Sequence, residues 1–267
     1  MDLACSILLG ALILLVVVAY GVRLVLAGRA RHARVDAEGK SALVGKGVME
    51  MLVWSVQPVI RACARLGITP DAVTFASIVP GLAAGVALAA GHFGVAALLA
   101  VFAAAADSID GQLARHLGVS SEAGEVLDAS VDRYVDFALL GGLAFHFRLD
   151  APRLALALFA LLASFMVSYS TAKADALHLK PPRGSMRRLE RSVLVVTAAA
   201  LTPATSLLGA TWGEMPMLVA LGMIAVAGNA SAIQRLAAIR NAVRARCLPD
   251  GSVEPRLDAP DAANLRP

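Results

Sequence analysis

The chain has 267 residues, of which 58% are hydrophobic and 16% are charged, and its mean hydropathy is +0.71. A soluble globular domain is about 45–50% apolar, so the composition excludes an ordinary water-soluble fold and indicates an all-α integral membrane protein. The net charge of +4 is modest, and the sequence contains no nucleic-acid-binding module, P-loop or dinucleotide-binding glycine motif. The three cysteines share no metal-ligand spacing and favour packing or surface thiols: Cys5, Cys63 and Cys247.

The first predicted element is a membrane span from Leu3 to Val22, a run without a charged residue. A cleaved secretion signal is the alternative interpretation. However, no Lys or Arg precedes the run, and the run is longer than the usual apolar core of a signal. We therefore predict a retained transmembrane anchor over residues 1–27.

Residues 28–68 are predicted to form a cytoplasmic, interfacial segment. From Lys46 to Leu66 the sequence mixes apolar and charged residues and includes Trp54, which is typical of a helix lying in the membrane interface. A bend is expected at Pro58, which removes a helical hydrogen bond. A plain linker is the alternative for this segment.

Six further membrane spans are predicted. The run 72–106 contains no Asp, Glu, Lys or Arg and is long enough for most of two spans of about 20 residues. A hairpin at 91–94 would separate these two spans. The other four predicted spans cover 124–147, 154–172, 192–213 and 215–234. We assign residues 69–237 to the helical core and 238–267 to a basic and then disordered tail, because the residues from Pro249 are rich in Pro, Asp and Ala.

The distribution of Lys and Arg predicts the orientation of the spans. Seven basic residues lie between Arg29 and Arg65, five between Lys180 and Arg191, and six from Arg235 onward. Alternating spans place all three segments on one side of the membrane, which is expected to be the cytoplasmic side. The N-terminus would then lie outside and the C-terminus inside.

Five aspartates lie in or beside the predicted spans, where a charge costs at least about 2.5–3.5 kcal/mol. Asp107 and Asp110 are three residues apart, and a second stripe has a spacing of four residues. A short turn at 117–123 makes the two helices antiparallel neighbours, so the acidic stripes can face each other. Two arginines cannot neutralise five acids, so a divalent cation is the expected counter-charge. The second stripe consists of Asp128, Asp132 and Asp136.

These aspartates belong to a longer pattern. From Asp107 to Arg115 the sequence reads Asp-x-x-Asp-Gly-x-x-Ala-Arg, and from Gly124 to Asp132 it reads Gly-x-x-x-Asp-x-x-x-Asp, with eight residues between the two parts. All eight fixed positions match the signature of the CDP-alcohol phosphatidyltransferases, and the chain resembles that family over about 69–235. The N-terminal anchor and the tail lie outside the resemblance.

The resemblance implies a six-helix bundle, usually a homodimer, with a polar cavity open to the cytoplasm. It implies transfer of a phosphatidyl group from CDP-diacylglycerol to a polar alcohol, with release of CMP. Mg²⁺ or Mn²⁺ would be bound by the four acids of the motif, and Asp132 would also be the general base. These acids are Asp107, Asp110, Asp128 and Asp132. The implied CDP-lipid contacts are Asp71, Thr74, Gly111, Ala114, Arg115 and Gly124.

The ends of the fourth and fifth core spans resemble the branch of the family that makes phosphatidylinositol phosphate. By that resemblance, Lys173, Arg188 and Arg191 would bind the phosphate of the acceptor. The branch usually has a second basic residue where this chain has Thr171, so glycerol phosphate, free inositol and serine stay open as acceptors. The alternative for the arginines is that they only determine topology.

Two other classes of protein fit part of this pattern. A transporter could use the same buried aspartates, although it would not need the Gly-x-x-Ala-Arg element. A catalytically inactive membrane scaffold is disfavoured because every acid of the motif is present.

Overall fold

The computed structural model describes residues 1–28, 45–179, 184 and 186–246. Every regular element in these ranges is a helix, so the predicted all-α fold is confirmed. The tail predicted to be disordered, from Pro249 onward, lies outside the described residues.

The helices are numbered here in chain order. They are α1 Asp2–Ala27, α2 Lys46–Arg65, α3 Pro70–Ala89, α4 Phe93–Leu117, α5 Glu122–His146, α6 Ala151–Ala176, α7 Arg188–Thr205, α8 Ala210–Gly213, α9 Met215–Met223 and α10 Asn229–Arg246. A π-helical turn, Ile224–Gly228, joins α9 to α10, and this last span continues past the boundary that we placed at residue 237.

Six helical segments of the described chain are long and apolar enough to cross a membrane. They contain α1, α3, α4, α6, α7, and α9 joined to α10. The remaining one of the seven predicted spans, 124–147, corresponds to α5. This helix has 25 residues but carries the second acidic stripe. Because α5 packs between α3 and α6, its charges lie inside the bundle rather than on its lipid-facing surface.

A tight turn connects α4 to α5. Gly118 ends α4 in the left-handed conformation, with a φ of 69°, which glycine adopts without the steric cost of a side chain. Ser121 then starts α5 by accepting a hydrogen bond from the backbone nitrogen of Gly124 at 3.1 Å. The prediction that α4 and α5 pack as direct neighbours is corrected: α3 packs closely against both helices, and α4 and α5 approach each other chiefly through their acidic side chains.

Glycines allow α3 and α5 to approach until their backbones touch. A Cβ atom on Gly85 would lie 2.4 Å from the carbonyl oxygen of Ala138, and one on Gly142 would lie 2.2 Å from the carbonyl oxygen of Gly85. Real Cβ atoms do not come so close, so larger residues would force the helices apart. This contact fixes α5, and with it the acidic stripe, against α3.

Helix α2 packs against the second half of α4. Ile60 contacts Ile109 and Leu113 in a small apolar cluster, and Gln57 Nε2 donates a hydrogen bond to Gln112 Oε1 at 3.1 Å. Pro58 lies inside this helix, which continues to Arg65. The segment is helical as predicted, and its location in the membrane interface stays a prediction. Its contacts with α4 lie directly beside the residues that carry the motif.

The anchor helix α1 packs along α4 and α7. At its N-terminus, Asp2 Oδ1 accepts hydrogen bonds from the backbone nitrogens of Gly94 and Val95 at 3.1 and 3.3 Å. These backbone N–H groups lie in the first turn of α4 and have no acceptor within the helix. Toward its other end, the Tyr20 hydroxyl donates to Glu50 of α2 at 3.3 Å. The anchor is therefore attached to the bundle at both ends.

Candidate active site

Three carboxylates meet between α4 and α5. Asp107, Asp128 and Asp132 each offer an oxygen, and these oxygens all lie within 4.8 Å of one another. We call these residues the aspartate cluster. Buried Asp128 Oδ1 has no hydrogen-bond partner among the described residues. Closely spaced carboxylate oxygens are the donors that Mg²⁺ and Mn²⁺ prefer, so the cluster has the chemistry of a divalent-cation site.

Asp110 lies outside this cluster. Its Oδ2 accepts a hydrogen bond from Thr74 Oγ1 at 2.7 Å, and its Oδ1 accepts one from the backbone nitrogen of Gly111 at 2.5 Å. The carboxylate is buried and faces α3. A role for Asp110 in metal binding is therefore still a prediction, and Thr74 is its direct partner.

Arg188 supplies a positive charge to the cluster from the first residue of α7. Its Nη1 lies 2.8 Å from Asp107 Oδ1 and 2.6 Å from Asp132 Oδ1. One guanidinium thus bridges the two helices that carry the aspartates. We predicted Arg188 as an acceptor contact; the structure shows its contacts with the aspartate cluster, and the contact with an acceptor stays a prediction.

A cavity of about 850 Å³ opens beside Asp132. It lies between α5, α6, α7 and α10 and is lined by Ser168, Tyr169 and Thr171 among others. We call it the arginine cavity, because five arginines line it together with one residue of the aspartate cluster. These arginines are Arg133, Arg187, Arg188, Arg191 and Arg235.

Several guanidinium nitrogens of this cavity are buried without a hydrogen-bond partner among the residues that the structure describes. They are the Nη1 atom of Arg133 and the Nε atoms of Arg188, Arg191 and Arg235. Arg191 is 3% exposed and Arg235 is 7% exposed. Buried charged donors are normally satisfied, and guanidinium groups suit phosphate oxygens, so the cavity can bind an anionic ligand.

The predicted CDP-lipid contacts lie at the same end of the bundle as the aspartate cluster. A Cβ atom on Gly124 would lie 4.0 Å from Asp71 Oδ1, which makes these residues neighbours across α3 and α5. A Cβ atom on Gly111 would lie 3.5 Å from the guanidinium of Arg115, which is exposed. Ala114 is half-buried on the same part of α4. The structure thus groups these residues, and their role in nucleotide binding stays a prediction.

The acceptor residues agree less well with the sequence prediction. Lys173 is exposed and does not line the arginine cavity, whereas Arg235, which we did not predict, does. Arg235 Nη1 donates to Thr171 Oγ1 at 3.3 Å, so α10 brings a positive charge to the position where the resemblance expects one on α6. No distinct signal in the sequence indicated Arg235, because it directly follows the predicted span 215–234, where basic residues are expected as topology determinants.

The comparisons with known proteins agree with this geometry. Residues 67–233 match the family model for the CDP-alcohol phosphatidyltransferase domain. The chain belongs to the CDP-alcohol phosphatidyltransferase family. The predicted family and enzyme class are confirmed, and the reaction of the family is transfer of a phosphatidyl group from a CDP-activated lipid to an alcohol.

Similar curated proteins share one name. The chain is 34% identical over 195 residues to the phosphatidylinositol phosphate synthase of Mycolicibacterium smegmatis, an alignment that covers 69% of this chain and 83% of that protein. It is 36% identical over 154 residues to the synthase of the same name from Corynebacterium glutamicum, covering 55% and 69% of the two chains.

Solved structures of the phosphatidylinositol phosphate synthase from Mycobacterium tuberculosis have the same fold. The form with CDP-DAG bound superposes with a TM-score of 0.61 at 30% identity, covering 68% of this chain and 92% of that one. The complex with manganese and citrate gives a TM-score of 0.63 at 29% identity, covering 69% and 88%. Helix α1 lies before the part of the chain that matches the family model.

Proposed function

We propose that the chain transfers the phosphatidyl group of CDP-diacylglycerol to inositol phosphate and releases CMP. The observation that carries this proposal is the arginine cavity, which places unpartnered guanidinium nitrogens beside Asp132. The similar synthases described above support the same acceptor by name.

The charge of the cavity favours a phosphorylated acceptor over an uncharged one. Free inositol would leave the buried Nε atoms of Arg191 and Arg235 without an anion, and serine would add a positive ammonium group near them. A buried guanidinium N–H that finds no anion loses its hydration without a compensating charge-assisted hydrogen bond, so an uncharged acceptor would bind less well than a phosphorylated one. Glycerol phosphate carries the required phosphate group and is therefore the closest competitor.

The aspartate cluster lies where the reacting groups would meet. A divalent cation bound by Asp107, Asp128 and Asp132 would neutralise the charge that develops on the phosphates as CMP leaves. Asp132 lines the arginine cavity and is suited to accept the proton of the acceptor hydroxyl. The hydroxyl oxygen then bonds to the phosphatidyl phosphorus, and the bond from that phosphorus to the CMP oxygen breaks.

Arg188 connects the two halves of the site. Its contacts with Asp107 and Asp132 place a guanidinium between the aspartate cluster and the arginine cavity. A cation there can stabilise negative charge on either phosphate and keep Asp132 oriented. We propose that the CDP-lipid binds on the opposite side of the cluster, near Asp71, Gly111 and Arg115.

We also propose that the site faces the cytoplasm and that the chain forms a homodimer. The orientation rests on the excess of Lys and Arg at this end of the spans, and the dimer rests on the family resemblance. Thiol labelling from either side of sealed vesicles at Cys63, in a chain lacking the other cysteines, would test the orientation. The mass of the protein in nanodiscs would test the dimer.

A panel of acceptors tests the proposed reaction. The purified protein would receive labelled CDP-diacylglycerol, Mn²⁺ or Mg²⁺ and one of four alcohols, which are inositol phosphate, glycerol phosphate, free inositol and serine. We expect CMP release to be fastest with inositol phosphate, to be lost with a metal chelator and to return when metal is added back. Faster release with glycerol phosphate, free inositol or serine would overturn the proposed acceptor.

A further inference from the structure

We infer that Asp136 is a positioning residue for acceptor binding, which orients Arg191 in the arginine cavity while itself lying outside that cavity. The identity of the ligand rests on the proposed function. The orientation of the arginine rests on contacts alone.

One carboxylate oxygen joins three helices at this point. Asp136 Oδ2, on α5, accepts a hydrogen bond from Ser164 Oγ of α6 at 2.7 Å and one from Arg191 Nη2 of α7 at 3.0 Å. Ser164 is fully buried, and Arg191 is nearly so. Since both donors converge on the same atom, the serine fixes the position of the carboxylate and the carboxylate fixes the guanidinium.

The remaining contact of Arg191 determines which nitrogen is left for a ligand. Its Nη1 donates to the carbonyl oxygen of Met186 at 2.7 Å, so both terminal nitrogens are engaged by protein groups. The Nε atom has no hydrogen-bond partner in the described part of the chain. Arg191 lines the arginine cavity and Asp136 does not, so any effect of Asp136 on the acceptor passes through a neighbour.

The charge balance explains why a carboxylate is needed here. A guanidinium as buried as that of Arg191 requires a nearby counter-charge. Asp136 also lies 4.0 Å from Arg133 Nη1 and 4.0 Å from Arg188 Nε, and Arg188 contacts Asp107 and Asp132 as well. These carboxylates hold the guanidinium groups in place, and a phosphate group can bind their remaining N–H donors only while the arginines keep this orientation.

The central test is a double-mutant cycle that combines Asp136→Asn with Arg191→Gln. Each single variant should raise the KM for the phosphorylated acceptor roughly tenfold, the size expected when one charge-assisted hydrogen bond is lost. Since Asp136 acts through Arg191, adding Asp136→Asn to the Arg191→Gln variant should change this KM by less than about twofold. The KM for CDP-diacylglycerol should stay unchanged throughout. Multiplying effects in the double variant would overturn the inference.

A serine pair separates orientation from simple loss of packing. Ser164→Ala removes a donor to Asp136. Ser170→Ala removes a buried hydroxyl of the same helix, whose hydrogen bond among the described residues goes to the carbonyl oxygen of Val167. We expect Ser164→Ala to raise the acceptor KM about threefold and Ser170→Ala to leave it unchanged. Equal effects of the two variants would show that Asp136 has only a structural role.

A binding measurement keeps this test independent of the acceptor's identity. Inorganic phosphate should raise the thermal unfolding temperature of the wild-type protein by filling the arginine cavity, and this shift should shrink in Asp136→Asn as it does in Arg191→Gln. If the acceptor panel favours an uncharged alcohol while these shifts behave as expected, the proposed function fails and the inference stands. If Asp136→Asn keeps the full phosphate shift, the inference fails whatever the acceptor is.

Discussion

The two ends of the helical bundle differ in how completely their buried charged groups are hydrogen-bonded. At one end, the aspartate cluster and the arginine cavity leave Asp128 Oδ1 and three Nε atoms without hydrogen-bond partners among the described residues. At the other end, every carboxylate oxygen of Asp2, Asp150 and Glu214 has a partner in the protein. The two ends are separated along α4 by roughly 20 Å, at about 1.5 Å per residue between Gly94 and Asp107.

The paired end has a structural role. Glu214 accepts from His146 Nε2 at 2.9 Å and from Arg153 Nη1 at 2.6 Å, and Arg153 Nε lies 3.0 Å from Asp150 Oδ2. These bonds connect the start of α6, the end of α5 and the residue before α9. Charged residues alone therefore do not identify a binding site in a membrane bundle. A binding site is identified by hydrogen-bond donors and acceptors that have no partner in the protein and can bind a ligand.

The largest expected effect comes from neutralising Asp132 in the aspartate cluster, with an acid at the paired end as the control. Asp132→Asn should lower kcat by about 10³-fold or more, because it removes the proposed base and a member of the aspartate cluster. Asp150→Asn changes the same atoms at the paired end and should leave kcat within about twofold. CMP release from labelled CDP-diacylglycerol measures both. Robust turnover by Asp132→Asn would reject the assignment of the base.

A smaller effect is expected from substituting Arg235 of α10, with Arg246 of the same helix as the control. Arg235→Gln should raise the KM for the phosphorylated acceptor about tenfold, because the side chain lines the arginine cavity. Arg246 is exposed, and within the described part of the chain it donates to the backbone carbonyl oxygens of Leu177 and His178. Arg246→Gln is therefore the matched control, and the same kinetic assay should show no change in its KM. Similar shifts in both variants would indicate a general electrostatic effect instead of direct binding.

The smallest effect should appear in stability alone. Glu214→Gln weakens contacts with His146 and Arg153, which are partly exposed, so the cost is about 1 kcal/mol and the Tm falls by about 2–4 °C. The kinetic constants of transfer should stay the same when measured below the transition. A thermal scan in detergent together with one kinetic series tests this, and a loss of activity without a lower Tm would contradict the structural role of the paired end.

The sequence predicted the helices and much of the aspartate cluster because both depend on local geometry. A spacing of four puts Asp128 and Asp132 on one face of α5, and the turn ending at Ser121 sets this face against α4. The partner of Asp110 was less predictable. A spacing of three from Asp107 places it toward the same side of α4, but only the packing of α3 determines that it meets Thr74.

The acceptor side depended on contacts between distant helices, and there the sequence was a weaker guide. Lys173 follows Thr171 by two residues, which turns it to another face of α6 and away from the arginine cavity. Arg235 reaches Thr171 from 64 residues further along the chain. Neither periodicity nor motif spacing records such a pairing, and Arg235 is one of several arginines that follow the predicted last span.

The attachment of Asp2 to α4 has a consequence for biogenesis. Its partners, the amides of Gly94 and Val95, lie 92 and 93 residues downstream, so the ribosome completes the first membrane helix long before these donors exist. A Cβ atom on Gly94 would clash with the carbonyl oxygen of Asp2, so even alanine at this position would obstruct the contact. The anchor therefore reaches its final position only after the start of α4 has been synthesised.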